Sequence, residues 1–464
     1  MDKRERRNKF PMFKKIAWNF SSVSNGILSI MLGYLNFYLT ENAMLAAGSV
    51  GIALMASKIF DGFTDLIAGY IIERTNSKWG KGRPYSLCTA FLWPVVILLF
   101  SVPSFFSTTG KLVYVFVCYM LIQSVLQTLY SCSDNVYMLR AIQEERDRAS
   151  TLAIGGVVIT YSCAAVSILM PTLVALFGDK SNGWTIIAVS LGIPSIILSI
   201  IKFVLIKEEP LLDDQGSVVK ENKATVKQMF EHITHNRYAI ICVGLWMIFQ
   251  FGQNLNMLVQ TYYYTYYLGN IYLLSIIGMT SIVTPLITLV IPPLQEKFGK
   301  AKVIKIGLAV NLIASVVRAV FPANIVMLMV TTIFIAVSTL PLMYFFGLFL
   351  MDCMDYGEWK LGYRVESCYS ALKSTGEKIA AGLASGFGGI FMSITGFVSG
   401  SEAQTAGAIN GIYVLMMILP VIIGAAMLIV IHFYKLDDQI VNIKEELLTQ
   451  RSKRGEEKIN KKSE

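Results

Sequence analysis

Apolar runs of about 20 residues recur along the whole chain, and this repetition constrains the fold more than any other feature. Hydrophobic residues fill 54% of the 464 positions and charged residues only 15%, whereas soluble proteins carry roughly 25% charged residues. Within a bilayer, backbone groups are satisfied only in helices or closed barrels. Because the runs do not alternate as barrel strands do, the sequence predicts an all-α integral membrane protein.

Twelve of these runs are predicted transmembrane helices. The basic segment at the start precedes a full-length run and lacks a small-residue cleavage site, so we expect no cleaved signal peptide. The predicted spans are 17–40, 47–73, 84–106, 112–139, 151–177, 184–206, 238–267, 272–296, 303–318, 325–352, 368–397 and 407–434.

The distribution of positive charge predicts the orientation. If the spans alternate, the segments on one side hold 33 of the 40 Lys and Arg residues, and such segments face the cytoplasm. We therefore expect both termini in the cytoplasm and a multi-pass protein of the cell membrane (a bacterial inner or plasma membrane), surrounded by lipid. The net charge of +9 is explained by this topology and predicts no nucleic-acid partner.

The chain divides around its longest internal polar stretch. SKWGKGRPY at 77–85 and QEKFGKAKV at 295–303 are aromatic–Gly–Lys turns at matching places in the two halves, which resembles the parallel repeat of major facilitator transporters. The predicted units are an N-terminal six-helix half (1–206), a cytoplasmic central loop (207–237), a C-terminal six-helix half (238–434) and a charged cytoplasmic tail (435–464).

The second predicted span carries charges in the stretch KIFDGFTD. Asp61 and Asp65 are four residues apart and share a helix face, and Lys58 lies close to that face. Ionised groups inside a membrane are expensive, so they point to an interior cavity or an ion path. Thr64 adds an oxygen ligand, and Lys378 of the eleventh span is a candidate to balance the second carboxylate.

Two aspartates and one buried lysine leave one net negative charge, which predicts a site for one monovalent cation. Na⁺ prefers several oxygen ligands, as hard cations do, whereas H⁺ needs one carboxylate with a raised pKa, so the sequence allows either ion. The competing interpretation is a buried salt bridge between Lys58 and Asp61 that only stabilises the fold.

Polar side chains at helical spacing in spans 1, 4 and 7 predict a water-accessible cavity. Amides and hydroxyls of this kind suit the hydroxyl groups of a sugar. The predicted cavity residues are Asn25, Ser131, Asp134, Gln253, Asn254 and Asn256.

Neither an enzyme nor an organic cofactor is predicted. The seven cysteines form no CxxC motif, and only three histidines occur. No pattern of nucleophile and base or of metal ligands accompanies them.

Two segments resemble a known family. KIFDGFTDLIAGYIIERTNSKWGKGRPY (58–85) and MDCMDYGEWKLGYRVESCYSALKSTGEK (351–378) are similar to signature segments of the glycoside–pentoside–hexuronide:cation symporters of the major facilitator superfamily. The twelve-span layout agrees over the whole chain. The resemblance implies a major facilitator fold and alternating-access symport of a sugar or glycoside, including uronides, with Na⁺ or H⁺. We also expect a functional monomer.

The resemblance also implies roles for individual residues. Asp61 and Asp65 match the two carboxylates of the cation site and would hold Na⁺ if sodium is the coupling ion. Thr128 matches a hydroxyl of that site, and Lys378 a lysine near it. Residues matching the cytoplasmic gate are Arg146, Arg148, Asp352, Asp355 and Arg364.

Departures from the family pattern affect the sugar more than the cation. Asn25 and Ser131 stand where a sugar-binding member has carboxylates, and Thr64 stands where it has an asparagine. The sugar contacts are therefore predicted to differ, with Asp134 a possible substitute one turn from Ser131. The alternative is a carrier of the same fold for another organic solute or a lipid-like substrate.

Overall fold

The computed structural model describes residues 10–75, 77–142, 144–180, 182–208, 236–282, 297–362, 367–401, 403–440, 442–447 and 449. Regular secondary structure in these ranges is helical. The prediction of an all-α protein is therefore confirmed for the part of the chain that is described.

Nine α-helices precede the central polar stretch and seven follow it among the described residues. The first nine are α1 (Met12–Trp18), α2 (Phe20–Gly33), α3 (Leu35–Glu41), α4 (Ala47–Arg74), α5 (Cys88–Leu99), α6 (Thr108–Met120), α7 (Thr128–Ala141), α8 (Glu145–Phe177) and α9 (Gly183–Leu205). The others are α10 (Arg237–Tyr262), α11 (Tyr272–Gly278), α12 (Lys300–Val320), α13 (Ile325–Leu361), α14 (Ser367–Ile394), α15 (Ala406–Tyr413) and α16 (Leu419–His432).

Wider π-helical turns interrupt three of the long helical segments. They comprise Leu121–Gln127 between α6 and α7, Tyr263–Tyr267 after α10, and Val414–Ile418 between α15 and α16. Such turns insert one extra residue and change the direction of the side chains that follow, which is why they often occur at functional positions.

Seven described helical segments are long and apolar enough to cross a membrane. They are Thr108–Ala141, Arg146–Phe177, Gly183–Leu205, Arg237–Tyr267, Lys300–Val320, Ile325–Leu361 and Ala406–His432. Most of the predicted eighth span lies in 283–296, outside the described residues. The count of twelve spans and the cytoplasmic termini stay predictions.

The first predicted span is not one continuous helix. Helix α1 ends at Trp18, and the side-chain amide of the next residue, Asn19, donates to the carbonyls of Lys15 (2.8 Å) and Thr151 (3.1 Å). An asparagine that bonds nearby carbonyls competes with the helical ladder, which accounts for the break. A second break at Tyr34 separates α2 from α3.

The contacts group the chain into two compact units, which are described separately below. The first contains residues from 1–220, 254–285 and 381–416, and the second contains residues from 221–253, 286–380 and 417–464. The division into halves at 1–206 and 238–434 stays a prediction.

Within the first unit, α4 packs very closely on the C-terminal half of α14. A Cβ added to Gly51 would lie 2.6 Å from the carbonyl oxygen of Ser385, and one added to Gly389 would lie 2.5 Å from that of Ala47. Small residues allow such close approach between membrane helices. This packing holds the charged stretch of α4 beside Gly382, where an added Cβ would lie 3.1 Å from the Lys58 Cβ.

The second unit has an aromatic core. Trp246 stacks on Phe346 with ring centroids 4.1 Å apart, and Phe349 stacks on Tyr434 at 4.3 Å. Leu436, Ile440 and other apolar residues after α16 are buried in the same core. The first part of the predicted tail is therefore packed onto this unit.

Candidate functional site

Asp61 is buried on α4, with only 3% of its surface exposed, and lies among hydroxyl groups. Thr128 Oγ1 donates to Asp61 Oδ1 at 3.1 Å, although the two residues belong to different helices. Thr64 Oγ1 lies 3.5 Å from the same carboxylate oxygen and donates to the Asp61 carbonyl at 2.9 Å. The structure thus brings together three of the four predicted cation-site residues.

The π-helical turn Leu121–Gln127 accounts for the direction of Thr128. The Thr128 hydroxyl lies 3.2 Å from the carbonyl of Gln123, five residues earlier, which fits the i to i+5 spacing of a π turn. This extra residue directs Thr128 towards Asp61. The Gln123 side chain instead contacts Lys58, which lies one turn before Asp61 on α4.

Lys58 does not pair with Asp61. Its Nζ lies 3.4 Å from Gln123 Oε1 and 5.6 Å from the centroid of the Tyr119 ring. Among the described residues Lys58 forms no ion pair, so the interpretation of a salt bridge between Lys58 and Asp61 is wrong. The reason is the rotation of the two side chains: Asp61 meets the threonines, whereas Lys58 meets Gln123.

Lys58 and Gln123 lie in the wall of a cavity of about 210 Å³ within the first unit, which we call the central cavity. Amide and hydroxyl groups from α2, α3, α10 and α14 converge on the same space. The polar lining residues are Ser29, Asn36, Lys58, Tyr119, Gln123, Asn254 and Ser385. The central cavity therefore combines one ammonium group with several neutral hydrogen-bonding groups.

Of the six predicted cavity residues, only Asn254 is among those that line the central cavity. Asn25 is half-buried, and its carbonyl accepts from Ser29. Ser131 and Gln253 are exposed, and Asn256 Nδ2 lies 3.7 Å from Met416 Sδ. The roles predicted for the other five residues stay predictions.

Asp134 has a partner that the sequence analysis missed. Lys202 Nζ lies 2.8 Å from Asp134 Oδ1, and the Lys202 side chain is fully buried. The ring of Trp18 lies 4.2 Å from the ammonium, and those of Tyr130 and Tyr137 lie 5.5 Å away. A lone lysine within an apolar predicted span was the available signal, but its partner lies 68 residues away.

The central cavity could not be assembled from sequence for a similar reason. Asn36 and Gln123 are two of several amides in their predicted spans, and Ser385 is one of many small residues in α14. Their polarity was visible in the sequence. Their convergence required the packing of six helical segments.

Asp352, one of the predicted gate residues, lies among basic side chains. Its buried carboxylate is ion-paired with Lys300 and accepts from Lys444 at 2.7 Å. Lys444 also lies 3.8 Å from Asp355. This cluster within the second unit links the start of the tail to the last turns of α13 through ion pairs. In the same region Trp359 Nε1 donates to Glu446 at 2.7 Å.

The other predicted gate and coupling residues are described only in part. Arg146 is exposed, and Arg148 donates to the carbonyl of Ile142 at 3.1 Å. Lys378 is half-buried in the second unit. The side chain of Asp65 and the whole of Arg364 lie outside the described residues.

A second cavity, of about 390 Å³, lies near the predicted outer ends of the helices in the first unit. Glu41, which follows the first predicted span, accepts a short hydrogen bond from the Tyr266 hydroxyl. Burial raises the pKa of the Glu41 carboxyl, and the hydrogen bonds from Tyr266 and Thr40 oppose that rise only in part. Trp184 and Phe37 form part of the same wall.

Comparisons with known proteins agree with this architecture. A family model described as MFS/sugar transport protein matches residues 22–438. The uncharacterized symporter YnaJ of Bacillus subtilis is 28% identical over 94% of each chain. The isoprimeverose transporter of Lactiplantibacillus pentosus is 25% identical over 93% of this chain and 90% of its own.

A solved structure shares the fold at low sequence identity. The D-xylose-proton symporter superposes with a TM-score of 0.63 and 14% identity, over 90% of this chain and 97% of its own. The predicted major facilitator fold is therefore confirmed, although this likeness carries no information about the substrate.

Proposed function

The chain belongs to the MFS/sugar transport protein family, and from this premise we propose that it is a secondary active symporter in the bacterial inner membrane. Its substrate is a sugar or glycoside, with uronides included, and its coupling ion is Na⁺ or H⁺. Alternating access moves both across the membrane. The family and the structural neighbours are transporters, which disfavours an enzymatic function.

The observation that carries the proposal is the pairing of Asp61 with Thr128. A carboxylate buried within a predicted span is expensive unless it has a function or a partner. Its partners here include neutral hydroxyls from Thr128 and Thr64. A hydroxyl can turn its hydrogen away and present a lone pair, so these oxygens can bind a cation that arrives.

The same residues suit either coupling ion. For Na⁺, Asp61, Thr64 and Thr128 offer oxygen ligands, and Asp65 is the predicted fourth. For H⁺, the Asp61 carboxylate alone is sufficient, with the threonines as its hydrogen-bond partners. Lys378 is retained as a proposed coupling partner.

The central cavity supports the sugar part of the proposal. Amides of Asn36, Gln123 and Asn254 and hydroxyls of Ser29 and Ser385 can donate to and accept from sugar hydroxyls. A lipid-like substrate is disfavoured by this polar lining.

The remaining predictions complete the proposed cycle. Asp352 and Asp355, with Arg146, Arg148 and Arg364, are proposed to close the cytoplasmic side through charged contacts. The protein is proposed to work as a monomer of two six-helix halves.

Uptake into liposomes tests the function. Purified protein would be reconstituted and offered radiolabelled glycosides and uronides under inward gradients of Na⁺, Li⁺ or H⁺. A gradient of one of these ions should drive accumulation, and Asp61→Asn should abolish the stimulation because the variant lacks the cation's negative ligand.

Asp179→Asn is the matched control, since it removes an exposed carboxylate from a predicted outer loop and should leave uptake unchanged. Cation-driven accumulation by Asp61→Asn at the wild-type rate would contradict the proposed cation site. Uptake that no ion gradient stimulates would contradict symport itself.

A further inference from the structure

Lys58 places an ammonium group in the wall of the central cavity, with no counter-ion among the described side chains. Among the side chains that the structure describes, which exclude Asp65, no carboxylate forms an ion pair with its Nζ within 4.0 Å. Its contacts are one long hydrogen bond to the neutral Gln123 and the face of the Tyr119 ring. Neither contact neutralises the charge.

Lys202 illustrates how the same unit accommodates a lysine that only supports the fold. That ammonium has a carboxylate 2.8 Å away and aromatic rings around it. A charge within a membrane span is expensive when it is unpaired. Because Lys58 lacks such a partner and faces a cavity, the missing negative charge is best supplied by what enters the cavity.

The neighbouring groups suit an oxyanion. The side-chain amides of Gln123, Asn36 and Asn254 carry N–H donors, and Ser29 and Ser385 carry hydroxyls, in the wall that holds Lys58. Hydrogen bonds from charged or neutral donors to an oxyanion are stronger than those to a neutral hydroxyl. The volume of about 210 Å³ suits a ligand smaller than those that fill pockets of roughly 300–1,000 Å³.

We propose that Lys58 binds an anionic group of the transported sugar, a carboxylate or a sulfonate, in the central cavity. This inference rests on the proposed function of sugar symport. The preferred substrates are therefore small acidic sugars rather than neutral ones. Lys58 acts on the substrate, whereas Asp61, one helical turn further along α4, acts on the cation.

The two contacts between α4 and the segment from Gln123 to Thr128 connect these roles. Lys58 contacts Gln123, and Asp61 contacts Thr128. The proposed sugar and the coupling cation would therefore bind to the same pair of helical segments. One monovalent cation and one monovalent anion also enter together without net charge.

Matched pairs of ligands test the proposal. Binding of hexoses and of the corresponding hexuronic acids, in gluco, galacto and manno configurations, would be measured by calorimetry with the full-length protein. A 6-sulfo-sugar and its 6-hydroxy partner form a fourth pair. In at least one pair the anionic member should bind about 10- to 100-fold more tightly.

Three variants identify the group responsible. Lys58→Gln should abolish the preference, whereas Lys58→Arg should retain it. Lys180→Gln, which removes an exposed outer lysine, should leave it unchanged and so excludes a general effect of surface charge.

Gln123→Glu provides a test that keeps the lysine. It places a carboxylate next to the ammonium, at a position where the amide oxygen is already 3.4 Å from Nζ. The internal counter-ion should abolish the preference as effectively as Lys58→Gln does.

Two results overturn the assignment: no anionic member binds better than its neutral partner, or the preference survives both Lys58→Gln and Gln123→Glu. Cation-driven uptake of a neutral glycoside, without preference for its acidic partner, would refute the role of Lys58 and leave symport intact. A preference for acidic ligands without ion-driven uptake would instead support Lys58 and refute symport.

Discussion

Two lysines within predicted spans of the same unit have opposite surroundings. Lys202 on α9 is fully buried and ion-paired with Asp134, whereas Lys58 on α4 is half-buried beside a cavity and meets an amide. Both carry the same charge within a predicted membrane span.

The difference separates structural charge from functional charge. Lys202 and Asp134 compensate each other within the folded chain, so neither requires a ligand. Lys58 lacks such compensation among the described residues, which directs attention to the contents of the central cavity. Burial alone would have suggested the fully buried Lys202 as the functional lysine and the half-buried Lys58 as the structural one.

The largest expected effect concerns Lys202. Lys202→Met leaves the Asp134 charge without its partner and should destabilise the protein by about 3–5 kcal/mol. Thermal and denaturant unfolding of the detergent-purified protein would measure the loss. The double variant Lys202→Met with Asp134→Leu should regain much of the stability, because no charge is then left unpaired.

Lys58→Met is the matched control for that experiment. It removes no ion pair of the described residues, so the free energy of unfolding should change by less than about 1 kcal/mol. Equal destabilisation by the two substitutions would break the distinction between structural and functional lysines.

A smaller effect should separate Lys58 from Asp61. Thr128→Val keeps the side-chain shape but removes the hydroxyl that contacts Asp61, and it should weaken cation binding about tenfold. The preference between acidic and neutral sugars should persist, because Lys58 and Gln123 are unchanged. Calorimetric titration with Na⁺ and with the matched sugar pairs measures both properties.

Thr160→Val is the control, since that hydroxyl donates to the carbonyl of Gly156 and contacts no predicted cation ligand. Loss of the sugar preference in Thr128→Val, with cation affinity unchanged, would reverse the assignment of the two sites.

The smallest expected effect extends the comparison to a carboxyl group at the outer cavity. Because burial raises the pKa of Glu41 above its ordinary value of 4.5, the native state holds this proton to a higher pH than the unfolded state does. The stabilisation is complete below the ordinary value and is lost as the pH rises through the raised pKa. Thermal unfolding measured over an interval of increasing pH above the ordinary value should therefore report a gradual decrease in the stability of the wild type.

Glu41→Gln can preserve the contact with Tyr266 without a titrating proton, so its unfolding temperature should vary less over that interval. A wild-type protein that becomes more stable as the pH rises, with the trend absent in Glu41→Gln, would contradict the direction of the pKa shift.

The sequence predicted the helices better than it predicted the side-chain contacts between them. Apolar runs located the helices because every backbone group inside a bilayer must be paired within its own segment. The break at Asn19 was not predicted, because it depends on a hydrogen bond to Thr151 on another helix. Asp134 was expected in the cavity, but its closest described partner is Lys202.

The resemblance placed Thr128 beside Asp61 in the predicted cation site, and the structure has their side chains in contact. Their function as cation ligands stays a prediction. The contribution of Gln123 was not foreseen, because it depends on a π-helical turn whose extra residue shifts the face that side chains occupy.

The sequence alone determined a helical membrane protein, its family resemblance and the presence of Lys58 and Asp61 one turn apart on one helix. Only the tertiary structure decided that these two side chains have different neighbours: Lys58 contacts Gln123, and Asp61 contacts Thr128. The reason is physical: helix periodicity fixes which residues share a face, but contacts with other helices decide which polar group each long side chain meets.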